Sequence, residues 1–153
     1  MELRVLILNS NVGDILPVPT QEQVIQFCHD NTIIDFLGVE IVPTPDGCVR
    51  LELDVKENHS NPYGILHGGV MTTMADTAMG AACLMYNKKV VTVSITMDFM
   101  HPVQMASRII TDAKVLSEGR HIFNCECTLH DADGKIYAKS HAVFFAISKL
   151  IDD

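Results

Sequence analysis

A helix-length stretch that begins on two glycines and carries one acid constrains this chain more than any other feature. From Asn61 to Met85 the sequence reads NPYGILHGGVMTTMADTAMGAACLM. Turn formers open it (Asn61, Pro62, Gly64), His67-Gly68-Gly69 follows, and then about seventeen residues run with no breaker except Gly80, enough for a globular helix. Val70, Met74, Ala78, Ala81 and Met85 recur at three- and four-residue steps and predict one apolar stripe. Gly69, Thr72, Thr73, Asp76, Gly80 and Cys83 fall on another side, which is small and carries the acid. Two glycines at a helix start expose unpaired N–H groups at the positive end of the dipole and let a ligand oxygen come close. Gly68 and Gly69 are therefore a candidate oxyanion hole.

The 153 residues, 48% of them hydrophobic, predict one domain with a real core. A net charge of -8 argues against nucleic acid or an anionic membrane as partner, since both reward clustered Lys and Arg. A polyanionic ligand would need a local basic patch. Five cysteines (Cys28, Cys48, Cys83, Cys125, Cys127) are an odd number set in apolar segments, which fits a reducing cytoplasm. Cys125 and Cys127 share a strand face, but without a Cys-x-x-Cys pair or matching His spacing no metal site is expected. The apolar run from Val5 to Leu8 is too short for a signal-peptide core or a membrane span.

Residues 1–19, ending in Pro17-Val18-Pro19, read as an N-terminal extension, either a tail or an extra strand, ahead of a single domain over 20–153. Thr20-Gln21-Glu22-Gln23 is a capping-type start to an amphipathic helix that continues through Phe36 and breaks at Gly38, a lid or flank. Val39–Val42 and Cys48–Val55 flank a turn cluster, a hairpin with one wet face. After the long helix come strands over Val90–Met100, Arg108–Leu116, His121–His130 and Ile136–Ile147, the last three joined by turns. Helix, two strands, long helix and a four-strand meander predict an α+β layout with an antiparallel sheet wrapped around the long helix.

The pattern Asn-x-x-Gly-x-x-His-Gly-Gly with an acid nine residues after the His, formed here by Asn61, Gly64, His67, Gly68, Gly69 and Asp76, resembles the central motif of hotdog-fold acyl-CoA thioesterases. The branch is the PaaI-like one that includes human thioesterase superfamily member 2, and the resemblance covers roughly residues 30 to 148. It implies a hotdog fold, an acyl-CoA substrate with coenzyme A as its only cofactor-like part, and a site shared across a dimer. It also brings in Thr92, on the strand that ends in an aromatic-x-x-Pro, as a hydroxyl holding the attacking water beside the partner acid.

Helix rise supports the shared site independently. Gly69 and Asp76 are seven residues, about 10 Å, apart along the axis, so one helix cannot present both to a single thioester carbon. Two antiparallel helices about a two-fold can, giving two equal sites in a homodimer, with dimers expected to pair further. Asp76 is the expected nucleophile or water-activating base, set among apolar helix residues. Asn61 would hold a water or orient a carboxylate, or simply form a turn before Pro62. His67 would donate to the substrate carbonyl or brace the turn. Arg108, Lys114, Arg120, Lys135 and Lys139 each read singly as solvated-face charges, and the resemblance implies Arg120, after Gly119 at a turn, as the coenzyme A phosphate contact. Met71, Met74, Met79 and Met85 would fill the core or line an acyl pocket. Besides hydrolysis, the same fold leaves a non-catalytic acyl-CoA sensor and an acyl-thioester hydratase or dehydratase as alternatives.

Overall fold

A computed structural model describes residues 17–46 and 48–152, so the expectation for the extension falls mostly outside the described residues. The elements are α1 (Gln21–Cys28), α2 (Thr32–Leu37), β1 (Glu40–Pro43), β2 (Val49–Asp54), a short 3-10 turn (Glu57–His59), α3 (Gly68–Leu84), β3 (Lys89–Phe99), β4 (Arg108–Glu118), β5 (Ile122–His130) and β6 (Ile136–Ser148).

The expected first helix is two helices. Thr20 and Gln23 form a reciprocal capping box, Thr20 Oγ1 accepting from the Gln23 N–H at 3.2 Å and Gln23 Oε1 from the Thr20 N–H at 2.9 Å. The chain then turns at His29-Asp30-Asn31 through backbone hydrogen bonds from Asp30 N–H to the Phe27 carbonyl and Asn31 N–H to the Cys28 carbonyl, with Asn31 at the N-cap of α2, and Asp and Asn are weak helix formers. Gly38 closes α2 at φ 71, a left-handed conformation that favours glycine.

All six strands join one antiparallel sheet in the order β1-β2-β4-β5-β6-β3. The four-strand meander is therefore corrected: β4, β5 and β6 meander, while β3 crosses to the far side of β6 and becomes an edge. The physical reason is α3, which must lie between the β2 and β3 stretches of chain and carries β3 to the opposite edge. Helix α3 touches β2, β3, β4, β5 and β6, so the sheet curves around it. That curvature buries a wide arc: Met71, Met74, Ala75, Ala78, Met79, Ala81, Cys83 and Leu84. Val70 and Met85, expected in the stripe, are only half-buried, and Cys83, expected on the small face, packs with its Sγ 3.5 Å from Cys125 Sγ. Cys125 and Cys127 do share the inward face of β5 with Phe123 and Leu129. Met71, Met74 and Met79 fill the core.

One irregularity in β3 controls which side chains face the helix. Thr92 pairs with Phe144 and Ser94 with Val143, so Val93 is an extra residue, a bulge. It resets the two-residue alternation: Val90 and Thr92 before it, and Ile95, Met97 and Phe99 after it, point toward α3.

Candidate active site

The loop into α3 is fixed from several directions. Asn61 Oδ1 accepts from the backbone N–H of Tyr63 at 2.9 Å and of Ile65 at 3.3 Å, while Gly64 takes φ 74. This is a side-chain-braced turn. The Nδ2 donor of Asn61 has no partner among the described residues. Buried His59 accepts the Lys56 N–H at Nδ1, so its Nε2 carries the hydrogen and donates to the Leu37 carbonyl at 2.8 Å, pinning the loop to α2. The His59 carbonyl in turn accepts from the His67 N–H at 2.8 Å.

His67 is the N-cap of α3. Its Nδ1 accepts from the Gly69 N–H at 2.7 Å, which places the ring hydrogen on Nε2. A Cβ on Gly69 would lie 3.0 Å from His67 Nδ1, so only glycine lets the imidazole fold over the helix start. The Gly69 amide is thus spent within the chain. The Val70 N–H goes to the His67 carbonyl at 3.0 Å, and the Gly68 N–H is left without an acceptor among the described residues. Gly68 lies under the Phe99 ring, 3.2 Å from where a Cβ would sit. Of the two amides expected to receive an oxyanion, Gly68 is the available one, and the outward His67 Nε2–H is a second donor beside it.

Losing the cap has a measurable consequence. His67→Ala should cost about 1 kcal/mol, as for other N-cap truncations, and lower Tm by roughly 2–4 °C for a domain of this size. His67→Asn, a favoured N-cap, should recover most of it. A thermal melt of both variants checks this, and unchanged melting of the alanine variant would remove the cap from the stability account.

One helical stretch away, about 12 Å along the axis from Gly68, Asp76 meets β3. Thr92 Oγ1 donates to Asp76 Oδ1 at 2.7 Å within the same chain. The expectation of a buried acid is corrected: Asp76 is half-buried, because it lies on the arc of α3 that the sheet does not cover. Asp76 and Thr92 open onto a pocket of about 280 Å³. Its α3 wall is Asp76, Thr77, Gly80, Ala81 and Leu84, and the opposite wall is the end of α1 with Phe27, Cys28 and Asn31. Among the described residues no Lys, Arg or His lines it. Cys28 is held by Val24, Val49, Ala81 and Leu84, and burial pushes its thiol up to about 11. It stays protonated at neutral pH and is a poor nucleophile. Among the described residues two carboxylates line the pocket, Asp30 and Asp76, and Asp76 is the one a hydroxyl holds.

The first helix was expected as a lid or flank, but Phe27 and Cys28 were not expected as lining residues. Phe27 reads as an ordinary amphipathic-helix residue, and only the packing of α1 on α3 brings it opposite Gly80. The cations sort as follows. Arg108 is taken by Asp54 at 2.7 Å, Glu40 at 2.9 Å and Glu52 at 2.6 Å, and Lys114 by Glu126 at 2.9 Å. Arg120 is exposed in the β4–β5 turn. Register puts that turn at the Thr92 end of the sheet, since Ile122 pairs with Phe145 and Phe145 with Val91. Lys89 Nζ lies 5.3 Å from the centre of the Phe27 ring, a further cation beside the pocket. Among the described residues no cluster of His, Cys, Asp and Glu could hold a metal ion, and no helix is long and apolar enough to cross a membrane.

Comparison with known proteins places this arrangement. The family model described as the thioesterase superfamily matches residues 63–138. Acyl-coenzyme A thioesterase 13 of Homo sapiens is 30% identical over 104 residues, spanning 66% of this chain and 74% of that protein. The E. coli PaaI protein from the phenylacetic acid degradation operon superposes with a TM-score of 0.76 at 21% identity, over 86% of this chain and 98% of that one. A hypothetical thioesterase protein of Streptococcus pneumoniae TIGR4, solved with coenzyme A, gives a TM-score of 0.74 at 20% identity, over 82% of this chain and 98% of that one. An aspartate-to-alanine and a threonine-to-alanine variant of a hypothetical thioesterase protein from the same bacterium have also been solved. This chain belongs to the thioesterase superfamily, among the thioester hydrolases built on the hotdog fold.

Proposed function

We propose that the protein is an acyl-CoA thioesterase whose sites are shared across a homodimer, with coenzyme A as the leaving thiol and no separate cofactor. The observation that carries this reading is the Thr92–Asp76 hydrogen bond at the mouth of a pocket with an apolar wall. Thr92 fixes the carboxylate, leaving Asp76 Oδ2 to attack the thioester carbon or to take a proton from water. The relatives support the acyl-CoA class.

Oxyanion donors must come from a second chain, because Gly68 and His67 sit at the start of α3, about 12 Å along the axis from Asp76 at its middle. The fold offers a way to bring one in. β3 is an edge strand of eleven residues, with Val91 49% and Val93 61% exposed, and a long edge strand without a neighbour on one side is a surface proteins normally cover. Pairing β3 with its two-fold copy lays the two α3 helices antiparallel, so that the Gly68 amide, the His67 Nε2–H and the Asn61 amide of one chain approach Asp76 and Thr92 of the other. Dimers pairing further into a tetramer belong to the same reading, as does a reducing compartment such as the cytoplasm for five thiols.

Arg120 serves the coenzyme A phosphates in this account, a local cation in an acidic protein. Free-thiol release is measured across a panel of acyl-CoA thioesters and their N-acetylcysteamine counterparts. Higher kcat/KM for the CoA forms is expected, with Arg120→Ala lowering it several-fold for CoA thioesters alone and flattening its salt dependence. No thiol release from any thioester would overturn the reading. Enoyl-CoA absorbance followed in the same mixtures separates hydration from hydrolysis.

A further inference from the structure

Gly80 sits where a glycine is hard to justify by the fold. It lies in the interior of α3, four residues after Asp76 and four before Leu84, among the least favoured positions for this residue. Its backbone is ordinary helix. A Cβ there would meet only Phe144 Cε1 at 4.0 Å, an ordinary contact, so packing inside the chain does not demand the gap. What the missing side chain leaves is space in the pocket, whose α3 wall runs from Asp76 past Gly80 to Leu84 on one helix face.

We infer that Gly80 sets the depth of the acyl pocket and so the size of acyl group this protein accepts. The inference rests on the thioesterase reading above. With the carbonyl carbon at Asp76, the tail runs along α3 toward Leu84, over Gly80 and under Phe27. Leu84 is about 12 Å further along the helix axis. The pocket's 280 Å³ is roughly twice the ~150 Å³ apolar cavity that takes up benzene, and lies near the lower end of the ~300–1,000 Å³ typical of ligand pockets. That size fits an aryl group or a medium-length alkyl tail, and excludes long fatty acyl chains unless α1 moves. Phe27, Ala81, Leu84, Val90 and Phe144 give the pocket an apolar lining, while Asp30, which also lines it, disfavours a tail ending in a carboxylate.

Gly80→Ala and Gly80→Leu test this with two readouts. Hydrolysis is measured for straight-chain acyl-CoA thioesters of increasing length and for an arylacyl-CoA. Binding is measured by calorimetry with the matching non-hydrolysable thioether analogues, so tail length is read even without turnover. The expected result is a stepwise shift of preference to shorter tails. The kcat/KM ratio of the longest accepted tail to the shortest should fall several-fold for Ala and at least ten-fold for Leu, with the same order in affinity. Gly80→Ala should also raise Tm, since alanine is the better helix former, which separates a filled pocket from a damaged fold. An unchanged length profile in both variants would overturn the inference. So would an equal loss at every length accompanied by dimer dissociation, because the gap would then serve a neighbouring chain. If the parent binds the analogues with a length preference that Gly80→Leu shortens but hydrolyses nothing, the depth role stands and the thioesterase reading fails.

Discussion

Asp76→Ala is expected to reduce turnover of the best thioester by roughly 10²–10⁴-fold, the range for removing a positioned acid–base group, with little change in substrate affinity. The expectation follows from the pocket's chemistry. Asp76 is the carboxylate that Thr92 holds, at 2.7 Å, and the neighbouring Cys28 thiol stays protonated. Truncation to alanine leaves the Gly68 amide, the His67 Nε2–H and the acyl pocket in place, so the loss should appear in kcat. Asp76→Asn is the sharper variant: its Oδ1 still accepts the Thr92 hydroxyl, so geometry is kept while the charge and the basic oxygen are lost. Steady-state kinetics on both, with analogue binding to confirm an intact site, decides the matter. Turnover within a few-fold of the parent in both variants would remove Asp76 from the chemistry.

A mixture of two inactive proteins should regain activity. Gly68→Val adds a side chain at the amide of the α3 start that lacks an acceptor among the described residues, with its Cβ 3.2 Å from the Phe99 ring, and Asp76→Ala removes the acid. If each site takes its helix start from one chain and its acid from the other, a heterodimer holds one intact site and one doubly damaged site. Full exchange at equal concentrations makes half the dimers mixed, so about a quarter of parental activity should return. Subunit exchange is verified separately by mass spectrometry of differently tagged chains. Demonstrated exchange with no recovered activity would defeat the shared site, leaving a single-chain arrangement that the α3 rise makes difficult.

Much of the fold was legible in the sequence because its signals are local. The alternation in Val49, Leu51 and Leu53, the turn residues after Glu118 and His130, and the unbroken run after Gly69 each mark an element within a residue or two of where it lies. The capping box at Thr20 was legible for the same reason. Where the reading departed from the structure, one cause was local and the other lay in contacts distant in sequence. Asp30 and Asn31 split the first helix, a local signal overlooked beside the stronger apolar periodicity around it. The neighbour of β3 was not legible, because strand order depends on how α3 crosses the sheet.

The sequence by itself determined an α+β chain organised around a glycine-started helix with one acid, and it named the residues at the start and the middle of that helix. Only the tertiary structure decided how they meet. The bulge at Val93 turns Thr92 toward Asp76 while keeping Ile95, Met97 and Phe99 on the same side, and no periodicity of two could announce it. The fold of the His67 ring over Gly69 spends one of the two glycine amides, a choice made by a side-chain torsion. Phe27 closes the pocket across from Gly80 through contacts between segments some fifty residues apart. Periodicity and capping report forces that act within a turn or a strand. A pocket is the space left where elements distant in sequence pack, and its shape exists only once they have done so.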